Sequence, residues 1–177
     1  MKKIISIAIA LILLLSSVFT LSSCMKNQKE ENDPLVGEFD GFKIQFSELE
    51  NGNLAISQLY AEVAEVVLPA EYNGKAITQL SYGCCKGQDK LKKLYVPEGV
   101  THIYGAIFLN SMYVEEISLP TTLTHVDGIA FNATGSISFK TINFRGSQEL
   151  WESIEIVNND RLVIPAGGTV NFNTPAK

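Results

Sequence analysis

The sequence is short of the residues that most chemistry requires. Its 177 residues include two histidines, His102 and His125, and three cysteines, Cys24, Cys84 and Cys85. No Cys-x-x-Cys pair occurs. Asp127 and several serines could in principle join a histidine in a triad, but no nucleophile motif surrounds any serine. Two imidazoles with no apparent third ligand make a poor metal site. Basic clusters are missing as well: 14 lysines and arginines stand against 19 acids, a net charge of −5, so binding to a phosphate backbone is not expected. These gaps leave no catalytic residue, no cofactor, no metal ligand and no nucleic-acid partner to propose.

What the sequence does have is a repeat. Leu91–Tyr113 and Val114–Ser136 are consecutive 23-residue units. Five positions are identical at the same offset: Pro97/Pro120, Thr101/Thr124, His102/His125, Gly105/Gly128 and Phe108/Phe131. Five more exchange aliphatic residues: Leu91/Val114, Leu94/Ile117, Val96/Leu119, Val100/Leu123 and Ile103/Val126. Apolar positions recurring at this period mark a solenoid. Upstream, Val66, Leu68 and Pro69 match Leu94, Val96 and Pro97 at an offset of 28, while Ile77, Thr78 and Leu80 match the next apolar set at 23. The polar Glu71–Lys75, with its Asn-Gly turn signal, absorbs the five-residue difference. Downstream, Phe139, Ile142 and Phe144 continue the series, and Leu162, Ile164 and Pro165 are read as the start of one more rung.

Each unit has the same logic. Leu94-Tyr95-Val96 alternates apolar, exposed, apolar, as a short strand does, and proline ends it for want of a donor. Val100 and Ile103 turn back across the core, Gly105 allows a tight turn, and Phe108 plugs the interior. One unit cannot bury its own edge, so units must stack. Two rows then recur beside the strands: Ala64, Lys92, Glu115, Lys140 and Glu65, Lys93, Glu116, Thr141. Charged neighbours in both rows have opposite sign, and Lys93 is expected between Glu65 and Glu116. Val67, Tyr95, Ser118 and Asn143 form an outward row.

The pattern L-x-x-L-x-V-P…V-T-x-I-x-G-x-x-F resembles the BspA-like leucine-rich repeats of bacterial surface proteins, over roughly Val63–Trp151. The resemblance implies a leucine-rich-repeat solenoid, a short right-handed horseshoe with a stacked parallel sheet. It also implies cell-surface display and binding to host proteins. The expected ligand face comprises Lys93, Tyr95, Glu116, Ser118 and Asn143. An alternative is a structural or accessory envelope lipoprotein that works with a partner subunit and has no ligand of its own.

The ends fit that address. Lys2 and Lys3 precede an apolar run, Ile4–Leu15, and then Leu21-Ser22-Ser23-Cys24, which is the order of a secretory signal. The last four residues resemble the bacterial lipobox, whose cysteine becomes the lipidated first residue of the mature protein. Residues 1–23 are therefore read as a signal peptide and Cys24 as the anchor, in the outer membrane, rather than Ile4–Leu21 as a transmembrane span. Losing Lys2 and Lys3 leaves 12 basic residues against 19 acids, a net charge of −7. Residues 24–34 read as a flexible tether; their Glu30-Glu31 pair weakly resembles surface-export signals.

Residues 35–62 read as an N-terminal cap, a hairpin of Phe42–Phe46 and Leu54–Ile56 around Asn51-Gly52. Ser147 is expected to cap a short helix over Ser147–Ser153, with Trp151 and Ile154 covering the last rung of a solenoid at 63–165. Residues 166–177 read as a tail. Cys84 and Cys85 are expected as buried thiols in the plug column.

Overall fold

The computed structural model describes residues 35–131, 138–158, 161–164 and 166–177. The signal peptide, Cys24, the tether and Pro165 lie outside the described residues.

Two parallel sheets run along the solenoid, one for each apolar pair of the repeat. The first contains β4 (Glu65–Val67), β7 (Lys93–Tyr95), β9 (Glu116–Leu119), β11 (Thr141–Phe144) and β13 (Thr169–Asn171), in the order β13-β11-β9-β7-β4. The second contains β6 (Lys75–Leu80), β8 (His102–Ile103), β10 (His125–Asp127) and β12 (Glu155–Val157). The apolar columns predicted from the repeat pair in register. Val66, Leu94, Ile117 and Ile142 are successive partners in one sheet, and Leu80, Ile103, Val126 and Ile156 in the other. All eight face the core. Register follows from this burial, because a one-residue slip would turn a whole column to solvent.

The turn after β8 differs from its expected chemistry. Gly105 does not adopt a positive φ; Ala106 does, at 50°. Glycine is needed at 105 for room, since a Cβ there would meet Ile129 at 3.1 Å and Tyr82 at 3.3 Å. Phe108 and Phe131 are fully buried, as a plug should be, with the Phe108 ring 5.1 Å from that of Phe139.

The N-terminal cap has three strands rather than two. β1 (Leu35–Phe39), β2 (Phe42–Glu48) and β3 (Leu54–Ala61) form an antiparallel meander, and β3 joins the second sheet beside β6. β1 escaped the sequence reading because its inward position is Gly37, which carries no side chain to show alternation. That glycine lies under Phe39, Phe46 and Tyr72, each within 3.0 Å of where its Cβ would be. The five-residue insertion is part of the same packing. Glu71–Tyr72 (β5) pairs antiparallel with β6 through Asn73-Gly74, both at positive φ, as a type I′ hairpin requires. Tyr72 stacks on Phe46 at 4.8 Å and donates to the Val36 carbonyl at 2.9 Å.

At the other end, α1 (Gln148–Glu152) is capped by Ser147, whose hydroxyl accepts from the Leu150 amide at 3.3 Å. Trp151 meets Phe144 edge-on at 5.3 Å, and Ile154 is buried. Leu162 and Ile164 do not open a further rung. They pack on the core outside any strand, while Thr169–Asn171, in the segment read as a tail, carries the first sheet one strand beyond β11. Val170, partly buried against the core, supplies the single inward side chain that a terminal rung needs.

Candidate functional site

The first sheet turns its polar rows outward, and the structure brings the expected residues together there. Lys93 lies between Glu65 and Glu116 on adjacent parallel strands, 4.0 Å from one carboxylate and 3.7 Å from the other. In the neighbouring row, Lys92 pairs with Glu115 at 3.3 Å. These exposed pairs contribute about 0–1 kcal/mol each, so their effect is on register and surface charge rather than stability.

The next row is Val67, Tyr95, Ser118, Asn143 and Asn171. Its middle is less open than alternation predicts. Ser118 is only 3% exposed, because Arg145 lies across it. The guanidinium donates to Ser118 Oγ at 3.1 Å, to the Val96 carbonyl at 2.7 Å and to Glu98 Oε1 at 2.9 Å. Glu98 also accepts from the Thr121 hydroxyl at 2.9 Å. Burial works against ionisation of Glu98, but bonds from Arg145 and Thr121 outweigh it and hold the carboxyl below its usual range. Arg145 stands where earlier rungs carry Pro97 and Pro120. Unlike proline it has an amide to give, and that amide reaches the Leu119 carbonyl at 3.1 Å.

Asn143 donates to Glu116 at 2.7 Å and accepts from Asn171 at 2.8 Å. The C-terminal segment then crosses the same face. The Asn173 amide donates to the Gly146 carbonyl at 2.9 Å and the Thr174 amide to the Phe144 carbonyl at 3.3 Å. Lys177 pairs with Glu65, lowering that carboxyl, and places its ammonium 4.4 Å above the centre of the Tyr95 ring. Between this segment and the strands lies a groove of about 400 Å³, lined by Tyr95, Glu116, Ser118, Asn143 and Thr174–Lys177. All five expected ligand-face residues are thus neighbours, but four of them already have partners within the chain, and the fifth, Tyr95, sits under Lys177.

The second sheet carries the histidines. Gln79, His102, His125 and Glu155 are successive partners in one column. The two imidazoles stack at 4.3 Å, 3° from parallel. His125 Nε2 lies 2.9 Å from Glu155, and Thr101 and Thr124 each meet the Nδ1 of the following histidine at 2.8 Å. Burial and then the charge of His125 hold His102 below the usual histidine range. The column is inherited from the repeat, and both Nδ1 atoms and His125 Nε2 are taken up by neighbours. Asp127 is likewise engaged, accepting from the Ile129 amide and from Asn158, both at 2.9 Å. Cys84 and Cys85 are free, fully buried thiols 3.7 Å apart. The bond to Cys84, then burial, pushes the Cys85 thiol well above its usual range.

Sequence reading missed one buried polar pair. Gln88 and Ser111, 23 residues apart, share a column. The Gln88 amide donates to Ser111 Oγ at 3.0 Å, and that hydroxyl donates to the Cys85 carbonyl at 2.6 Å. The Gln88 side chain, 5% exposed, accepts from the Ala61 amide and donates to the Leu59 carbonyl, both at 2.8 Å. It clips the cap to the first turns of the solenoid.

Stacked parallel rungs with paired apolar columns and a polar strand face define a leucine-rich-repeat solenoid, and one solved structure bears out the class. A Treponema pallidum leucine-rich-repeat protein aligns with a TM-score of 0.51 at 18% identity, over 73% of this chain and 61% of its own. A leucine-rich-repeat protein from Bacteroides ovatus gives 0.44 at 19% identity, over 73% of this chain and 36% of its own. A leucine-rich cell surface protein from Faecalibacterium prausnitzii gives 0.32 at 15%, over 66% of this chain and 41% of its own. The chain thus spans about three fifths of the length of the T. pallidum protein and about a third of the B. ovatus one. No known family matches the sequence, and no curated protein does. The T. pallidum alignment is in line with the resemblance carried by the repeat, and the likeness is one of fold.

Proposed function

We propose that this chain is a non-enzymatic binding module of the bacterial envelope, lipid-anchored at Cys24 and displayed on the cell surface, which holds a protein or glycan partner along the outward rows of its first sheet. The fold supports a protein-interaction module, because parallel rungs present alternate side chains on one continuous face. The single observation that carries the reading is the register of that face, with Glu65, Lys93 and Glu116 in one row and Tyr95 beside them. The aromatic ring is the side chain best suited to anchor a partner. One observation favours the alternative of an accessory envelope lipoprotein with a partner subunit. Arg145, Asn171 and Lys177 already engage much of the face, as in a surface built for structure.

The anchoring and display are tested together in intact cells. The full chain should take up an alkyne fatty acid, and surface protease should release its repeat domain. Equal labelling of Cys24→Ala would remove the anchor from the account. Labelled chain that resists protease on intact cells would place it in the periplasm, where the accessory reading holds instead.

A further inference from the structure

A second open groove among the described residues lies away from the residues named so far as a ligand face. It measures about 680 Å³, between the outer side of the cap and the stacked turns that follow β6 and β8. Gln45, Ser57, Gln58 and Tyr60 form one wall; Lys86 and Asn110 stand on the other.

Both walls have identifiable causes. On the cap side, Gln45 pairs with Gln58 while Phe46 pairs with Ile56, so Ser57 is an extra residue in β3. Such a bulge bends the strand and re-aims its side chains; here the Ser57 hydroxyl fixes it by donating to the Gln45 carbonyl at 2.8 Å. On the turn side, Gly87 and Asn110 occupy one column, both at positive φ, joined by a bond from the Gly87 amide to the Leu109 carbonyl at 2.9 Å. Gln88 holds the two walls together through the Ala61 amide and the Leu59 carbonyl. The groove is therefore built on paired backbone rather than on loose loops.

Its side chains differ from those of the strand face in a decisive way. There, neighbours within the chain engage most polar groups. Here the side chains of Gln45, Tyr60, Lys86 and Asn110 make no hydrogen bond or ion pair to any described residue. The Gln58 side-chain Nε2 donates to the Leu59 carbonyl, while its Oε1 accepts from no described residue. Tyr60 is 53% exposed although it is the largest side chain on this wall. No carboxylate lines the groove, and its only charge is Lys86. One cation is too few for an anionic ligand, and the lining joins apolar surface to uncharged hydrogen-bonding groups. Neutral amides that both give and accept hydrogen bonds, beside one exposed ring, suit a ligand with hydroxyls on its edges and C–H groups on its faces.

We propose that this groove is a saccharide-binding site, distinct from the strand face, in which Tyr60 stacks on a sugar ring and Gln45, Gln58 and Asn110 bond its hydroxyls. The test is titration calorimetry on the full chain in lauryldimethylamine oxide, a detergent without a sugar headgroup, against neutral hexasaccharides: maltohexaose, cellohexaose, chitohexaose and mannohexaose. At least one should bind saturably, with Kd of about 0.1–1 mM. Tyr60→Ala should weaken it about tenfold with an unchanged melting temperature, and Tyr60→Phe should stay within about threefold. Gln45→Ala, whose side chain holds nothing in the fold, should weaken it several-fold. The proposal is overturned if no member of the panel binds up to about 10 mM. It is equally overturned if binding survives both Tyr60→Ala and Gln45→Ala, or is lost instead with Tyr95→Ala on the strand face.

Discussion

Phe108→Ala should destabilise the chain by about 3–5 kcal/mol, and Phe131→Ala by a similar amount. Both rings are fully buried in the plug column, and both pack against Phe139, at 5.1 and 6.4 Å. Truncation removes apolar contact and leaves a cavity that two facing sheets cannot close without losing their register. In a longer array the damage would stay with the adjoining rungs. Here few rungs separate the antiparallel cap from α1, so the loss should spread to the whole solenoid. Chemical denaturation of wild type and variant reads the difference. A change below about 1 kcal/mol would mean that these rings are not core.

Replacement of Gln88 by Leu should cost about 1–3 kcal/mol although it adds apolar volume to a buried site. The buried amide of Ala61 would lose its acceptor, Gln88 Oε1 at 2.8 Å. The Leu59 carbonyl would keep only its bond from Gln58, at 2.9 Å. Stranding a buried donor is more damaging than removing both members of a pair. The effect should be local first, so hydrogen exchange at Leu59–Ala61 should accelerate more than exchange in β9 and β10. Uniform acceleration would show that Gln88 supports the whole fold and not the junction between cap and solenoid.

The parts of this fold legible in the sequence are those in which side chain and position repeat together. Leu94 and Ile117, or His102 and His125, could be placed on neighbouring strands because identical surroundings recur every 23 residues. Even the ladder at Lys93 followed from that period and the alternation of a strand. Parts that depend on a single rung were not legible. Gly37 makes an inward position with no side chain, so β1 gave no periodic signal. Tyr72 looks like a residue of a tolerated insertion, yet its ring stacks on Phe46 and its hydroxyl reaches Val36. Arg145 breaks the proline column, and nothing short of the folded chain shows that its side chain spans three partners across the first sheet. Ser118 therefore reads as exposed from alternation and is buried in fact. The C-terminal segment repeats nothing, and its course over Tyr95 rests on contacts with distant rungs. The Gln88–Ser111 column had the right offset, but a polar pair in a repeat whose core columns are apolar carries no pattern to follow.

The central claim is that the first sheet's outward face is where a partner is held. It is tested most directly by placing the photo-reactive residue benzoylphenylalanine at Tyr95 of the full chain in intact cells, with the same residue at exposed Tyr82 as reference. The account predicts a discrete, light-dependent adduct of higher mass from position 95, weakened by Lys93→Glu and absent from position 82. No adduct from position 95, or the same adducts from both positions, would contradict it.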